Sequence, residues 1–250
     1  LNVYFFKVGV VIVLKIIHQY TGLLGEQASK MYHEVFFKDI LTIILEAYYE
    51  MVLSGYLQVR NPQTGSRIEI FSLSLGYFLL SLALILAPAA VVRVMLKDKA
   101  SLELESFSLR WGPMYSNLKL GSKWYLLYTG VYILRRIAII GVSLIVETQI
   151  YQILSVIFIL LFTMIYHGHF KPLASKFDNR LYIFNDYIVF ICAIHLMFFT
   201  KSVDDILMQY YVFGWSFQVT IGVLTAVNLP IILWQNLRSI HVIYKRKQYM

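Results

Sequence analysis

The chain has 250 residues, of which 59% are hydrophobic and 14% charged, and its formal net charge is +8. An average soluble domain has about 25% charged residues, so this composition excludes an ordinary soluble enzyme and a disordered chain. It favours a polytopic helical membrane protein whose basic residues face the cytoplasm and anionic lipid rather than nucleic acid.

Seven stretches of the chain are apolar enough to be membrane helices, which need about 20 such residues. The first is short and carries two lysines, so it lies either across the membrane or flat on its surface. We therefore predict an all-α fold: a single membrane domain over 1–250 with seven transmembrane helices, or six plus one interfacial helix. The predicted spans are 4–20, 35–56, 72–95, 124–146, 150–167, 181–200 and 211–235.

Two prolines lie inside predicted spans, where the missing N–H and the ring bend a helix or open it locally. Pro88 is in the third span. Pro230 is in the seventh, which also contains Gly214 and Gly222. The seventh helix is therefore predicted to be the most bendable of the set.

The distribution of lysine and arginine predicts the orientation. Segments 21–34, 96–123, 168–180 and 236–250 hold 13 of the 22 basic residues, whereas the connections on the alternate face hold 3. By the positive-inside rule the first set is cytoplasmic, which places the amino end outside and the basic tail 236–250 inside. The longest connection, 96–123, has aromatic residues at helical spacing beside basic ones. It is expected to be a cytoplasmic linker that lies at the lipid headgroups or packs beneath the helices.

Charged residues inside the predicted spans need a partner or a watery cavity, because a charge in hydrocarbon is costly. Glu46 and Glu50 are one helical turn apart in the second span, and Arg135 and Arg136 lie near the middle of the fourth. We expect one arginine to pair with one of the glutamates between helices. Such a pair is either a static salt bridge or part of a gate or ion path.

Polar residues in and after the sixth span are the other candidates. Asn185 and Asp186 lie early in that span and His195 follows on the same helix. They either line a cation path or, for Asp186, mark a helix end. Asp204 and Asp205 in the short loop 201–210 either concentrate cations at an outer mouth or cap a helix.

Catalytic chemistry is not indicated. The sequence has no nucleophile-and-base, phosphate-loop, dinucleotide or zinc-protease motif. Its single cysteine, Cys192, excludes an intrachain disulfide and a multi-cysteine zinc site. We therefore expect no enzymatic activity, no cofactor and no metal site.

Four groups of residues, taken in order over roughly 34–240, resemble the membrane region of transient-receptor-potential-like proteins of fungi and ciliates. That family includes the fungal flavin-carrier and polycystin-like proteins and the large ciliate surface proteins. The groups are Phe36-Phe37 through Leu45-Glu46-Ala47-Tyr48-Tyr49-Glu50; Trp111-Gly112-Pro113-Met114-Tyr115 with Leu118-Lys119; Trp124 to Tyr128 through Leu134-Arg135-Arg136; and Lys171-Pro172 followed by Phe184-Asn185-Asp186 and His195.

The resemblance implies a cation-channel-like, calcium-linked domain of a plasma or ciliary membrane, at the carboxyl end of a longer chain. The start at Leu1, without methionine or a signal-peptide pattern, agrees with an upstream ectodomain or a larger assembly. Two alternatives stay open: a non-conducting anchor for an extracellular assembly, and an accessory subunit of an energy-transducing complex such as those of the mitochondrial inner membrane.

Overall fold

The computed structural model describes residues 12, 31–32, 34–200 and 205–248, with only the backbone of 239–248. Most of these residues are helical, and one isolated antiparallel bridge is the β-type pairing that they contain. Among the described residues, five helices are long and apolar enough to cross a membrane, which is compatible with an integral membrane protein. The all-helical class predicted from the sequence is therefore confirmed for the described residues.

We number the α-helical segments of the described residues in chain order and join those that continue into one another. The five segments of membrane length are α3, α6, α7, α8 and the stretch Met208–Arg238, which includes most of α9. The bounds are α1 Ile40–Glu46, α2 Tyr48–Arg60, α3 Arg67–Met95, α4 Lys99–Leu102, α5 Glu105–Trp111, α6 Lys123–Ile145, α7 Gln149–Phe170, α8 Lys176–Phe198 and α9 Trp215–Gln248.

The second predicted span, 35–56, is broken. The helical stretch Glu34–Glu46, which ends with α1, meets α2 at Ala47 with a bend of 70°, and the two are long enough to cross a membrane only when taken together. The part of the chain that the structure describes therefore has five candidate spans, or six if this pair is one broken span. The predicted count of seven is not confirmed, and its first span, 4–20, lies outside the described residues apart from Ile12.

α2 and α3 form a tightly packed helical hairpin. A β-carbon built on Gly55 of α2 comes within 3.0 Å of the Gly76 carbonyl oxygen and 2.9 Å of the Leu80 side chain. A β-carbon on Gly76 comes within 3.0 Å of Gln58. Two glycines facing each other thus let the helix backbones approach, as small residues do in membrane helix pairs. Ser66 caps α3 through a capping box with Glu69.

Three segments of the described residues are π-helical. They are Glu34–Asp39 before α1, Leu82–Leu86 within α3, and Met208–Gly214 before α9. The second lies directly ahead of Pro88, so the irregularity expected at this proline is a π-turn that precedes it. π-helix accounts for well under 1% of residues in globular proteins and often occurs at functional sites.

The two connections 96–123 and 168–180 are joined to each other. Lys119 N donates to the Pro172 carbonyl at 2.9 Å, and Ala174 N donates to the Asn117 carbonyl at 2.9 Å. The Asn179 side chain holds the second connection in place, because it accepts a hydrogen bond from the Leu173 N–H and donates one to the Leu173 carbonyl. Backbone hydrogen bonds therefore hold these two connections against each other.

Buried tyrosine fixes the longer connection from within. The Tyr115 hydroxyl donates to the Leu102 carbonyl at 2.7 Å, and Tyr115 is 4% exposed. Burial raises the pKa of Tyr115 above its ordinary value of 10.0, against a smaller lowering effect of a side-chain hydrogen bond with Ser108.

The chain forms two compact units. The first comprises 1–144 with 169–179, and the second comprises 145–168 with 180–250. In the first unit the buried core joins α2 and α3 to the connection after α3 and to α6, with Tyr48, Ala83 and Met114 among its most buried residues. The second unit contains the polar residues of the sixth and seventh predicted spans.

Candidate functional site

A buried histidine–carboxylate pair lies in the second unit. Asp186 of α8 is 6% exposed, and its Oδ2 shares a hydrogen bond with Nδ1 of His167 in α7, which is 7% exposed. The His167 ring also lies against the rings of Tyr166 and Tyr182, at centroid separations of 5.5 and 6.3 Å. Two ionisable groups are thus placed together inside helices of membrane length, where an isolated charge is costly.

The neighbouring residue on α8 faces a different helix. Asn185 Nδ2 donates to Asn228 Oδ1 at 3.1 Å, and Asn228 Nδ2 donates back to Asn185 Oδ1 at 2.8 Å. Consecutive helix residues point about 100° apart, so Asn185 reaches α9 while Asp186 reaches α7. Asn228 also donates to the Leu224 carbonyl at 2.9 Å, two residues before Pro230 interrupts the hydrogen bonding of α9.

His195 makes the third polar contact, again with α9. Its Nδ1 lies 2.8 Å from the Ile191 carbonyl and its Nε2 lies 2.9 Å from Ser216 Oγ. A carbonyl oxygen only accepts, so Nδ1 carries a proton, and in the neutral ring Nε2 accepts from the serine hydroxyl. The ring therefore links a backbone carbonyl of α8 to the side chain of Ser216.

These three contacts form one feature, which we call the polar seam: His167–Asp186, Asn185–Asn228 and His195–Ser216. The two pairs between α8 and α9 run in opposite chain directions, so the two helices are antiparallel along this contact. Asn185 and His195 are ten residues apart, or about 15 Å along the helix axis. This length is roughly half of the 30 Å hydrocarbon thickness of a bilayer.

Asp205, which the sequence placed at a candidate outer mouth, caps the start of a helical segment. Asp205 Oδ1 accepts from the N–H groups of Leu207 and Met208 at 2.9 and 3.2 Å, so this carboxylate caps the helical segment that begins there. Its side chain is exposed. Asp204 lies outside the described residues.

One arginine of α6, Arg136, contacts the end of the helix that finishes at Glu46. Arg136 Nη1 donates to the backbone carbonyls of Leu45 and Glu46 at 3.2 and 3.3 Å, and its guanidinium stacks on Tyr132 at 4.2 Å. The Tyr132 hydroxyl donates to the same Leu45 carbonyl at 3.2 Å. The contact thus joins the expected helices, but the partners of Arg136 are carbonyl oxygens at the break between α1 and α2 rather than carboxylates.

The broken helix explains this choice of partner. The last carbonyls of α1 have no intrahelical donor, and an unsatisfied carbonyl in a membrane span is costly. Arg136 provides a charged donor at that helix end, where the helix dipole also favours a cation. Glu46 and Glu50 have exposed side chains, and Arg135 is half-buried.

Three residues of the polar seam were not among the residues singled out for it from the sequence: His167, Asn228 and Ser216. The sequence signal for Asn228 was its position two residues before Pro230, in a helix that is predicted to bend. Across the described residues, no group of three or more His, Cys, Asp or Glu is arranged to hold a metal ion.

Comparisons with protein-family models, with curated proteins and with solved structures give no match to this chain.

Proposed function

We propose that the chain is a cation-channel-like membrane domain of a surface or ciliary membrane, in which ions pass along the polar seam. The observation that carries the proposal is the buried Asp186–His167 pair beside the Asn185–Asn228 contact, within helices of membrane length. Ionisable groups in such helices are rare, and they mark substrate, ion or proton paths in membrane proteins.

A hydrated path needs oxygen ligands, and α8 and α9 together supply them. Asp186 provides a carboxylate, and Asn185 and Asn228 provide amide oxygens, which are ligands for Na⁺, K⁺ and Ca²⁺. In the conformation described here the amide oxygens accept from each other's N–H groups. The proposal therefore requires α9 to shift along α8, which exchanges these hydrogen bonds for water and ions.

The sequence of α9 is suited to such a shift. Pro230 removes one backbone hydrogen bond, and Gly222 has open space around the position of a β-carbon. A hydrogen bond between membrane helices contributes about 0.6 kcal/mol on average. The three bonds between α8 and α9 are therefore worth about 2 kcal/mol, which a voltage or a ligand can supply.

A non-conducting anchor is the second candidate. The observation that favours it is the reciprocal bonding of Asn185 and Asn228, which leaves both amides satisfied without water. A seam that never opens would hold α8 and α9 together as a rigid unit.

Cation flux separates the two candidates. The full chain is reconstituted in liposomes that carry a Na⁺, K⁺ or Ca²⁺ gradient. Cation flux is then measured under voltage, stretch and added calcium. The channel proposal predicts flux that Asp186→Asn lowers at least several-fold, whereas Asp178→Asn, which changes a carboxylate outside the seam, leaves it intact. Thermal unfolding of both variants verifies that they fold. Absence of wild-type flux under every stimulus favours the anchor, and flux that is unchanged in folded Asp186→Asn rejects this path.

A further inference from the structure

The first unit contains an apolar groove of about 300 Å³. One wall is formed by the π-turn before α1, which includes the lining residue Phe37, and by α1 itself. The opposite wall is the stretch of α3 from Leu82 to Ala90, and Trp111 of α5 closes the side. Two of the three π-helical segments therefore shape this groove, and its volume is at the lower end of the range for ligand pockets.

Two arginines lie against the aromatic side chains that line the groove. The Arg110 guanidinium is 5.5 Å from the centre of the Phe37 ring, and the Arg93 guanidinium is 5.5 Å from the centre of the Trp111 ring. Both arginine side chains are exposed. Within the described residues neither has a carboxylate partner. Stacking on an aromatic ring orients a guanidinium while its N–H groups stay open to an oxyanion.

The position of the groove along α3 matches a lipid in a bilayer. Arg93 is in the last turn of α3, where a long basic side chain reaches the headgroup level. Leu82 is eleven residues earlier, so the groove descends about 16 Å from that level into the hydrocarbon region. Apart from Arg110, the residues that line the groove are apolar.

We propose that this groove binds one acyl chain of an anionic glycerophospholipid, with the lipid phosphate held by Arg93 and Arg110. A guanidinium binds phosphate through two parallel N–H donors, which favours a phosphate over an uncharged headgroup. A zwitterionic lipid brings an ammonium group towards two cations, so an anionic headgroup is preferred. This site is independent of the polar seam and of whether the chain conducts.

Trp111 lies in the groove and reports directly on its occupant. The test uses the full chain with the three other tryptophans replaced by phenylalanine, reconstituted in phosphatidylcholine containing a minor fraction of phosphatidylglycerol. Bromine on an acyl chain quenches tryptophan fluorescence on contact. Two samples are compared. In the first, the minor phosphatidylglycerol is brominated; in the second, an equal fraction of the phosphatidylcholine is brominated instead.

We expect the groove to prefer brominated phosphatidylglycerol over brominated phosphatidylcholine by about fivefold for each arginine. Arg93→Gln with Arg110→Gln should remove this preference while the protein stays folded, because both side chains are exposed. The control, Lys123→Gln with Lys176→Gln, removes the same charge from exposed positions outside the groove and should keep the preference. Equal quenching by the two lipids in the parent protein, or an equal loss in the control, overturns the proposal.

Discussion

The glycine contact between α2 and α3 gives the sharpest prediction about stability. Ala at position 55 would place its β-carbon 3.0 Å from the Gly76 carbonyl oxygen and 2.9 Å from the Leu80 side chain. The side chain can rotate, but the carbonyl belongs to the facing helix, so α2 and α3 must separate. Overpacking of this kind costs about 1–3 kcal/mol, and it exceeds the gain of about 1 kcal/mol that alanine brings over glycine in a helix. We expect Gly55→Ala to lower the free energy of unfolding.

Gly141→Ala is the matched control, because a β-carbon on this helical glycine meets nothing within 4 Å. The same chemical change should there raise the free energy of unfolding by up to about 1 kcal/mol. The assay is reversible unfolding in mixed micelles, with the unfolded fraction followed as denaturing detergent increases. The two substitutions should change stability in opposite directions. A Gly55→Ala protein that is as stable as Gly141→Ala would refute the close approach of α2 and α3.

Three further predictions concern the broken helix, the longer connection and the orientation. Arg136→Met should cost about 2–3 kcal/mol of unfolding free energy by leaving carbonyls without a donor, whereas Glu46→Gln should cost under about 1 kcal/mol. Equal losses in the same micelle assay would favour a carboxylate partner instead. Tyr115→Phe should cost about 1 kcal/mol at pH 8. Because its folded pKa is raised, Tyr115 stabilises fully below pH 10 and loses this contribution as the pH rises further, so unfolding at pH 11 should bring the variant closer to the parent. In intact cells, with the native cysteine replaced, an impermeant thiol reagent should label Gln63→Cys and not Ser106→Cys; the reverse pattern would invert the topology.

Hydropathy predicted the long spans well because burial in lipid leaves a local signal in the sequence. The predictions 124–146 and 150–167 correspond to Lys123–Ile145 and Gln149–Phe170. The break at Ala47 was missed, since neither glycine nor proline marks it. It depends on Arg136, which lies about ninety residues away and satisfies the carbonyls that the break exposes.

Half of the residues of the polar seam were predictable from the sequence, but the contacts between them were not. Asn185 and Asp186 stand out because they are polar within an apolar helix. Their partners are separated from them by 43 and 19 residues, and the rotation and register of packed helices fix those pairs. Neither quantity is encoded in hydropathy or charge, so the polar seam emerges only when the helices are placed in three dimensions.

The most direct test of the central claim is whether ions pass the seam at Asn185. The measurement is cation current through reconstituted Asn185→Cys protein, with Cys192 replaced by alanine, before and after a charged thiol reagent. Tyr187→Cys is the control, because this exposed side chain lies on the same helix outside the seam. The account predicts that the reagent blocks current at position 185 and leaves it unchanged at position 187. Current that is insensitive to modification at position 185, or equally sensitive at both positions, would contradict it.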